Sequence, residues 1–173
     1  MALLPQSSRR EMEEHHFPVW ALIVVPLLAI FLQAYLPLRF PRFGVLDLPV
    51  LVVVYFAVSR RNPIAGTLLG VVIGMVQDAF THLPLGIHGI VDSVLGYLAA
   101  SIGVRIDVDN PGTRLMMNFL FMLLAGVLHV LILRRLLGMH AEWYWLHEFV
   151  RAVVNALVGV VLFALLDRLR RRE

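Results

Sequence analysis

The chain has no cysteine and no lysine, and only 16% of its 173 residues are charged. Without cysteine it forms no disulfide, iron–sulfur cluster or thiolate metal site. Its hydrophobic residues make up 60% of the total, against about half in an ordinary soluble domain. This shortage of polar residues excludes a water-soluble globule and indicates a protein that crosses a membrane several times.

All 15 basic residues are arginines, and most of them lie at the edges of apolar runs. A sequence pI near 9.9 is compatible with nucleic-acid binding in a soluble protein. Here, however, no basic face with interleaved aromatic residues exists, so we predict no nucleic-acid partner. The placement of the arginines is typical of orientation signals and of contacts with lipid headgroups.

Six apolar runs approach the length of about 20 residues that a membrane-spanning helix requires. They predict an all-α polytopic membrane protein, in which six transmembrane helices form a compact bundle. The predicted spans are residues 17–36, 45–58, 64–80, 90–106, 115–133 and 149–166.

The second run is the shortest and has Asp47 and Pro49 at its start. We expect it either to extend outward through residues 37–44 or to pack inside the bundle. A tail of residues 1–16 precedes the bundle, and a basic tail of residues 167–173 follows it.

The arginines also predict the orientation of the chain. With six spans, the two ends and the second and fourth connections share one side, which holds ten arginines, whereas the other side holds five. Because positively charged loops stay in the cytoplasm, both termini are predicted to be cytoplasmic. Anionic lipid is the expected contact of the two charged tails.

Small residues form stripes along the third and fourth runs. Glycines recur every four residues in the third run, and small residues alternate at spacings of four and three in the fourth. Since helices in lipid associate through close packing, these stripes predict a helix-packing or partner-binding face. Its glycines are Gly66, Gly70, Gly74, Gly89, Gly96 and Gly103.

Ionisable and polar side chains gather at the predicted outer ends of the spans. The spacings of three and four between Glu148, Arg151 and Asn155 place these residues on one helical face. Acidic residues inside spans are costly unless they point into the bundle or a cavity. The gathered residues are Asp47, Asp78, Asp92, Glu148, Arg151, Asn155, His82, His88, His140 and His147.

Three interpretations of this cluster stay open. The charges neutralise one another and fix helix register, or they line a pocket for a small ligand or a lipid headgroup, or they form a metal or hydrolytic site. The third lacks H-E-x-x-H, G-x-S-x-G and nucleotide-binding glycine motifs. Asp78 and Asp92 would be the acid–base pair of an intramembrane enzyme. We predict no catalytic residue, metal or cofactor.

The stretch RRNPIAGTLLGVVIGMVQDAFTHLPLGIHGIVDSVLGYLAA, residues 60–100, resembles the rod-shape-determining MreD family. That family has a small-residue helix ending in G-x-x-x-D, then a Pro-Leu-Gly connection and a span containing Gly and Tyr. The matching positions are Gly70, Gly74, Asp78, Pro84, Leu85, Gly86 and Tyr97. The chain length, six spans and basic C-terminal tail also agree.

The resemblance implies a non-enzymatic scaffold of the bacterial cell-elongation complex in the inner membrane. Such a protein binds MreC directly and couples cytoplasmic MreB to peptidoglycan synthesis by RodA and a class B penicillin-binding protein. A partner helix is expected to dock along the bundle, beside an outward groove bordered by Asp78 and Asp92.

The family also resembles, distantly, the substrate-binding subunits of energy-coupling-factor transporters, which are six-helix bundles with an outward pocket. The alternative function is therefore a small-molecule-binding membrane subunit of a vitamin-type transporter.

Overall fold

The computed structural model describes residues 18–81, 84–106, 108, 110–140 and 142–169. All regular structure within these residues is helical, and the two predicted tails lie largely outside them. The helices are α1 (Val19–Arg39), α2 (Leu48–Arg60), α3 (Pro63–Phe80), α4 (Ile87–Gly103), α5 (Pro111–Arg135) and α6 (Trp145–Leu166). Two 3₁₀ turns, Pro41–Val45 and Asp167–Leu169, precede α2 and follow α6. The prediction of six helices in an all-α fold is confirmed.

Asparagine followed by proline starts two of the helices. The Asn62 side chain accepts a hydrogen bond from Ala65 N at 3.1 Å, and the Asn110 side chain accepts one from Gly112 N at 2.8 Å. Each asparagine is the N-cap, and the proline after it takes the first helical position, where its missing N–H costs nothing. The starts of α3 and α5 are therefore encoded locally.

The shortest helix, α2, lies at the centre of the bundle. Every residue from Pro49 to Ser59 is buried, and the helix packs against α1, α3, α4, α5 and α6. A helix that is apolar all round belongs in the interior. The second run was expected either to extend outward or to pack inside the bundle. The structure shows that it packs inside.

The remaining helices surround α2 in a sequence of neighbouring pairs. α3 packs closely along α4, α4 contacts α5, and α5 packs along α6, while α1 lies mainly on α2. The outward faces of these helices carry exposed large apolar residues, as lipid contact requires. Four helices, α1, α3, α5 and α6, are long and apolar enough to cross a membrane; α2 has 13 residues and α4 has 17. That α2 and α4 also cross the membrane remains a prediction.

Helix boundaries depart from the predicted runs by a few residues. α1 continues through Pro37 to Arg39, and α4 covers Ile87–Gly103, three residues earlier than the run predicted over 90–106. Gly86 precedes α4 in the left-handed conformation, with φ of 102°, which glycine adopts without strain.

A polar contact ties α5 to the end of α6 on the side where the second and fourth connections lie. Arg114 pairs with Asp167 at 2.6 Å, and the Tyr55 hydroxyl donates to Asp167 Oδ1 at 3.1 Å. The guanidinium of Arg114 also lies over the Phe163 ring, 5.8 Å from its centroid. Asp167, placed by the sequence at the start of a tail, is thus held against the bundle.

Truncation of a leucine in the core should destabilise the bundle more than truncation of one on its surface. Leu95 is completely buried and Leu120 is 55% exposed. We expect Leu95→Ala to lower the free energy of unfolding by about 2–5 kcal/mol, because it leaves a cavity. Leu120→Ala is the matched control, and it should lower the free energy of unfolding by clearly less. Unfolding in mixed detergent micelles, followed by circular dichroism, measures both, and equal losses would contradict this packing.

Candidate functional site

The glycines of α3 face the backbone of α4. A Cβ atom built on Gly66 would lie 2.5 Å from the carbonyl oxygen of Gly96, and one on Gly70 would overlap the backbone of Asp92 and Ser93. A Cβ on Gly74 would overlap the backbone at His88 and Gly89. Since backbone atoms do not move aside as a flexible side chain does, only glycine permits this approach.

The glycines of α4 differ in how strictly they are required. Gly96 faces the carbonyl of Gly66, and a Cβ on Gly103 would lie 2.6 Å from the carbonyl oxygen of Val58 on α2. A Cβ on Gly89 would meet only Met75, with the side-chain Cγ at 3.0 Å and the backbone N at an ordinary contact distance of 3.7 Å. The small-residue face is therefore occupied within the chain by α3, α4 and α2. A partner-binding role for it stays a prediction.

Asp78 caps the start of α4 from the end of α3. Its Oδ2 accepts hydrogen bonds from Gly86 N at 2.8 Å and Gly89 N at 3.4 Å, and its Oδ1 accepts one from His88 N at 3.2 Å. His88 Nδ1 lies 2.6 Å from Oδ1. The first N–H groups of a helix lack partners within it and favour a negative charge. Asp78, the acidic residue inside the third run, thus joins α3 to α4.

Arg151 of α6 joins the segment before α2 to the bundle. Its Nη2 donates to Asp47 Oδ2 at 2.6 Å, and its Nη1 donates to Glu148 Oε2 at 3.1 Å. Asn155, one turn further on, accepts from Asp47 N at 2.8 Å and donates to Val45 O at 2.8 Å. These contacts hold the segment before α2 against α6. Both ends of the Arg151 guanidinium are engaged by carboxylates.

Asp92 is the most buried acidic residue that the structure describes, with no exposed surface. Neither carboxylate oxygen has a hydrogen-bond partner in the described part of the chain. The groove predicted from the sequence was bordered by Asp78 and Asp92, but neither residue lines the cavity described next, in which Asp47 and Arg151 lie. Asp78 is turned toward the start of α4, and Asp92 is enclosed where α3 and α4 touch.

A cavity of about 370 Å³ lies at the end of the bundle that carries the first, third and fifth connections. Its size falls within the range of small-ligand sites. Residues from all six helices and from the segment before α2 line it. The polar and ionisable ones are Gln33, Asp47, Gln77, Thr81, His88, His129, His147, Glu148 and Arg151.

The structure thus brings together only part of the predicted cluster. Asp47, Glu148, Arg151, His88 and His147 line the cavity, whereas Asn155 supports it through hydrogen bonds. The exposed His140 lies instead in a separate surface depression with Arg134 and Glu142. His82 lies outside the described residues.

Sequence reasoning left four polar residues that line the cavity out of the predicted cluster, namely Gln33, Gln77, Thr81 and His129. Gln33 bridges α1 and the segment before α2, donating to Leu46 O at 2.7 Å and accepting from Leu48 N at 3.1 Å. The His129 and His88 rings lie with centroids 5.1 Å apart. Polar residues within membrane spans are functional candidates even when they carry no charge. This rule could have identified these residues from the sequence.

These features define a multi-pass helical protein of the membrane with a cavity, lined in part by polar side chains, at one end of the bundle. A family model described as rod shape-determining protein MreD matches residues 14–172. The chain belongs to the MreD family, as its residues 60–100 had indicated, and is a multi-pass inner-membrane protein involved in rod-shape determination. This is a family of structural proteins rather than a known enzyme family. No curated protein and no solved structure matches the chain, so its likeness to transporter subunits has no support from known structures.

Replacing Gly70 should force α3 and α4 apart. Gly70→Ala places a methyl group against the backbone of Asp92, so we expect the free energy of unfolding to fall by about 1–3 kcal/mol. Gly44→Ala is the matched control, because its Cβ would meet only Pro37 Cβ, at 3.9 Å. Thermal unfolding of the purified proteins compares them, and a Gly70→Ala protein as stable as the control would refute the close contact.

Removal of the Asp78 carboxylate should loosen the start of α4. Asp78→Ala leaves the Gly86, His88 and Gly89 N–H groups without their acceptor, which should cost about 1–3 kcal/mol or more. Asp78→Asn keeps one acceptor oxygen and should cost less. Hydrogen exchange at the amides of residues 86–89 measures the effect. Unchanged protection in Asp78→Ala would show that the cap is unimportant.

Proposed function

We propose that the chain is a non-enzymatic scaffold of the cell-elongation complex that binds MreC directly. Through this contact it links MreB filaments in the cytoplasm to peptidoglycan synthesis by RodA and a class B penicillin-binding protein. The observation that carries the proposal is the family match over residues 14–172, nearly the whole chain.

The contacts that the polar groups make support the proposed scaffold function. Asp78 caps a helix, and Arg151 is held by Asp47 and Glu148. These charged groups fix how helices and connections meet. This role agrees with the first of the three interpretations of the cluster. A bundle locked in this way presents fixed apolar faces to the membrane, where a single-helix partner can pack.

The proposed orientation places both termini in the cytoplasm. It rests on the distribution of ten and five arginines between the two sides. In this orientation the tails reach anionic lipid and cytoplasmic components, and the cavity opens toward the side where the cell wall is made.

The cavity itself favours a second candidate, a small-molecule-binding subunit of a vitamin-type transporter. Its volume of about 370 Å³ and its convergent polar side chains are features of ligand sites. Such a subunit would associate with a cytoplasmic ATPase module, which a shape-determining scaffold does not need. The two candidates therefore differ in the proteins that accompany the chain.

Affinity purification of the tagged full chain in mild detergent should recover MreC. We expect recovery to be unaffected by nucleotide, with RodA and the penicillin-binding protein present in smaller amounts. The folded Leu120→Ala variant provides a control for a small change on the outward face of α5. Recovery of an ATPase module without MreC would overturn the scaffold and favour the transporter subunit.

A further inference from the structure

Two side chains that line the cavity carry an oxygen without a hydrogen bond. Asp47 Oδ1 and Gln77 Oε1 are buried and have no partner in the part of the chain that the structure describes. The residues are only 7% and 5% exposed. Because buried polar atoms in proteins are nearly always hydrogen-bonded, both oxygens require a hydrogen-bond donor that the described residues do not supply.

In its neutral form, His88 supplies a third acceptor. Its Nδ1 is 2.6 Å from Asp78 Oδ1, and a carboxylate that already accepts backbone N–H groups accepts from this nitrogen as well. Nδ1 therefore carries a ring proton, and Nε2 is an acceptor when the imidazole is neutral. His88 lines the same cavity as Asp47 and Gln77.

The charge of the cavity wall also selects against an anion. Asp47 and Glu148 both pair with Arg151, so the lining has one more carboxylate than cation when its histidines are neutral. Two carboxylates already bind the guanidinium and offset its charge, which weakens its attraction for a phosphate or a carboxylate. A positively charged donor group complements this wall in both hydrogen bonding and charge.

We propose that the cavity binds a primary ammonium group, carried by an ethanolamine phospholipid headgroup or by a free small amine. An ammonium group supplies three N–H donors and one positive charge, and matches the acceptors on Asp47, Gln77 and His88. The proposal does not depend on the proposed contact with MreC. It specifies the chemistry that the cavity recognises.

Paired ligands test the need for N–H donors. The full chain is purified in detergent, and its thermal midpoint is measured with dihexanoyl phosphatidylethanolamine or the phosphatidylcholine analogue, and with ethanolamine or choline. Members of each pair share their positive charge, but the methylated one has no N–H. We expect the ammonium member to act at about tenfold lower concentration. An effect of the lipid alone identifies a headgroup, and an effect of ethanolamine identifies a free amine.

Equal responses to both members of each pair, or no response to any of the four compounds, would overturn the proposal. The first result would mean that charge or chain contacts suffice without N–H donors. The second would mean that the cavity takes no ammonium ligand. Recovery of MreC is measured in a separate experiment, so failure here leaves the proposed scaffold function unaffected.

Variants test whether the thermal-midpoint response to the ammonium compounds arises from binding in the cavity. Gln77→Met removes the acceptor at nearly constant length and should weaken the response about tenfold. Asn118→Leu is the matched control: Asn118 is fully buried with unpartnered amide atoms among the described residues, yet it does not line the cavity. It should keep the response. An unchanged response in Gln77→Met, or equal loss in both variants, would contradict the site.

A further variant keeps the test valid if Gln77→Met fails to fold. Gln77→Glu retains an oxygen at this position and adds a negative charge, so the ammonium compounds should act at the same or lower concentration. A weaker response in folded Gln77→Glu would overturn the assignment of Gln77 as an acceptor for a cation.

Discussion

The direct backbone contact between α3 and α4 is the constraint on which the rest of the structure depends. Gly66, Gly70 and Gly74 let α3 lie against the carbonyls of α4, and a side chain at Gly66 or Gly70 would push the helices apart. Because lipid provides no hydrophobic force between helices, such packing has to supply the association. The closeness of this pair also brings Asp78 within reach of the first N–H groups of α4.

A second consequence concerns the cavity. The Asp78 cap fixes His88, and the Arg151 network fixes Asp47 and Glu148, so two structural clusters contribute residues to the lining of the same cavity. Stabilising and ligand-binding roles are therefore not exclusive alternatives for these residues. The same carboxylates that hold the connections in place leave the cavity rich in acceptors, which suits a cation better than the anions that arginine residues usually attract.

Several elements were predictable because their signals are local. The apolar runs and Asn-Pro starts predict the helices, and glycines every four residues predict a close-packed face. Spacing alone indicated that Glu148 and Arg151 would meet. By contrast, Gln33, Gln77 and His129 carry no recognisable motif, and their convergence depends on three different helices.

By itself, the sequence determined the membrane class, the number of helices and the family, because composition, periodicity and the residue 60–100 pattern are properties of the chain alone. The tertiary structure decided that the shortest run lies at the centre, that Asp78 serves α4, and that Asp92 is enclosed away from the cavity. These outcomes depend on which helix faces which. Helix period places a residue on a face, but only packing decides whether that face meets lipid, a backbone or a cavity.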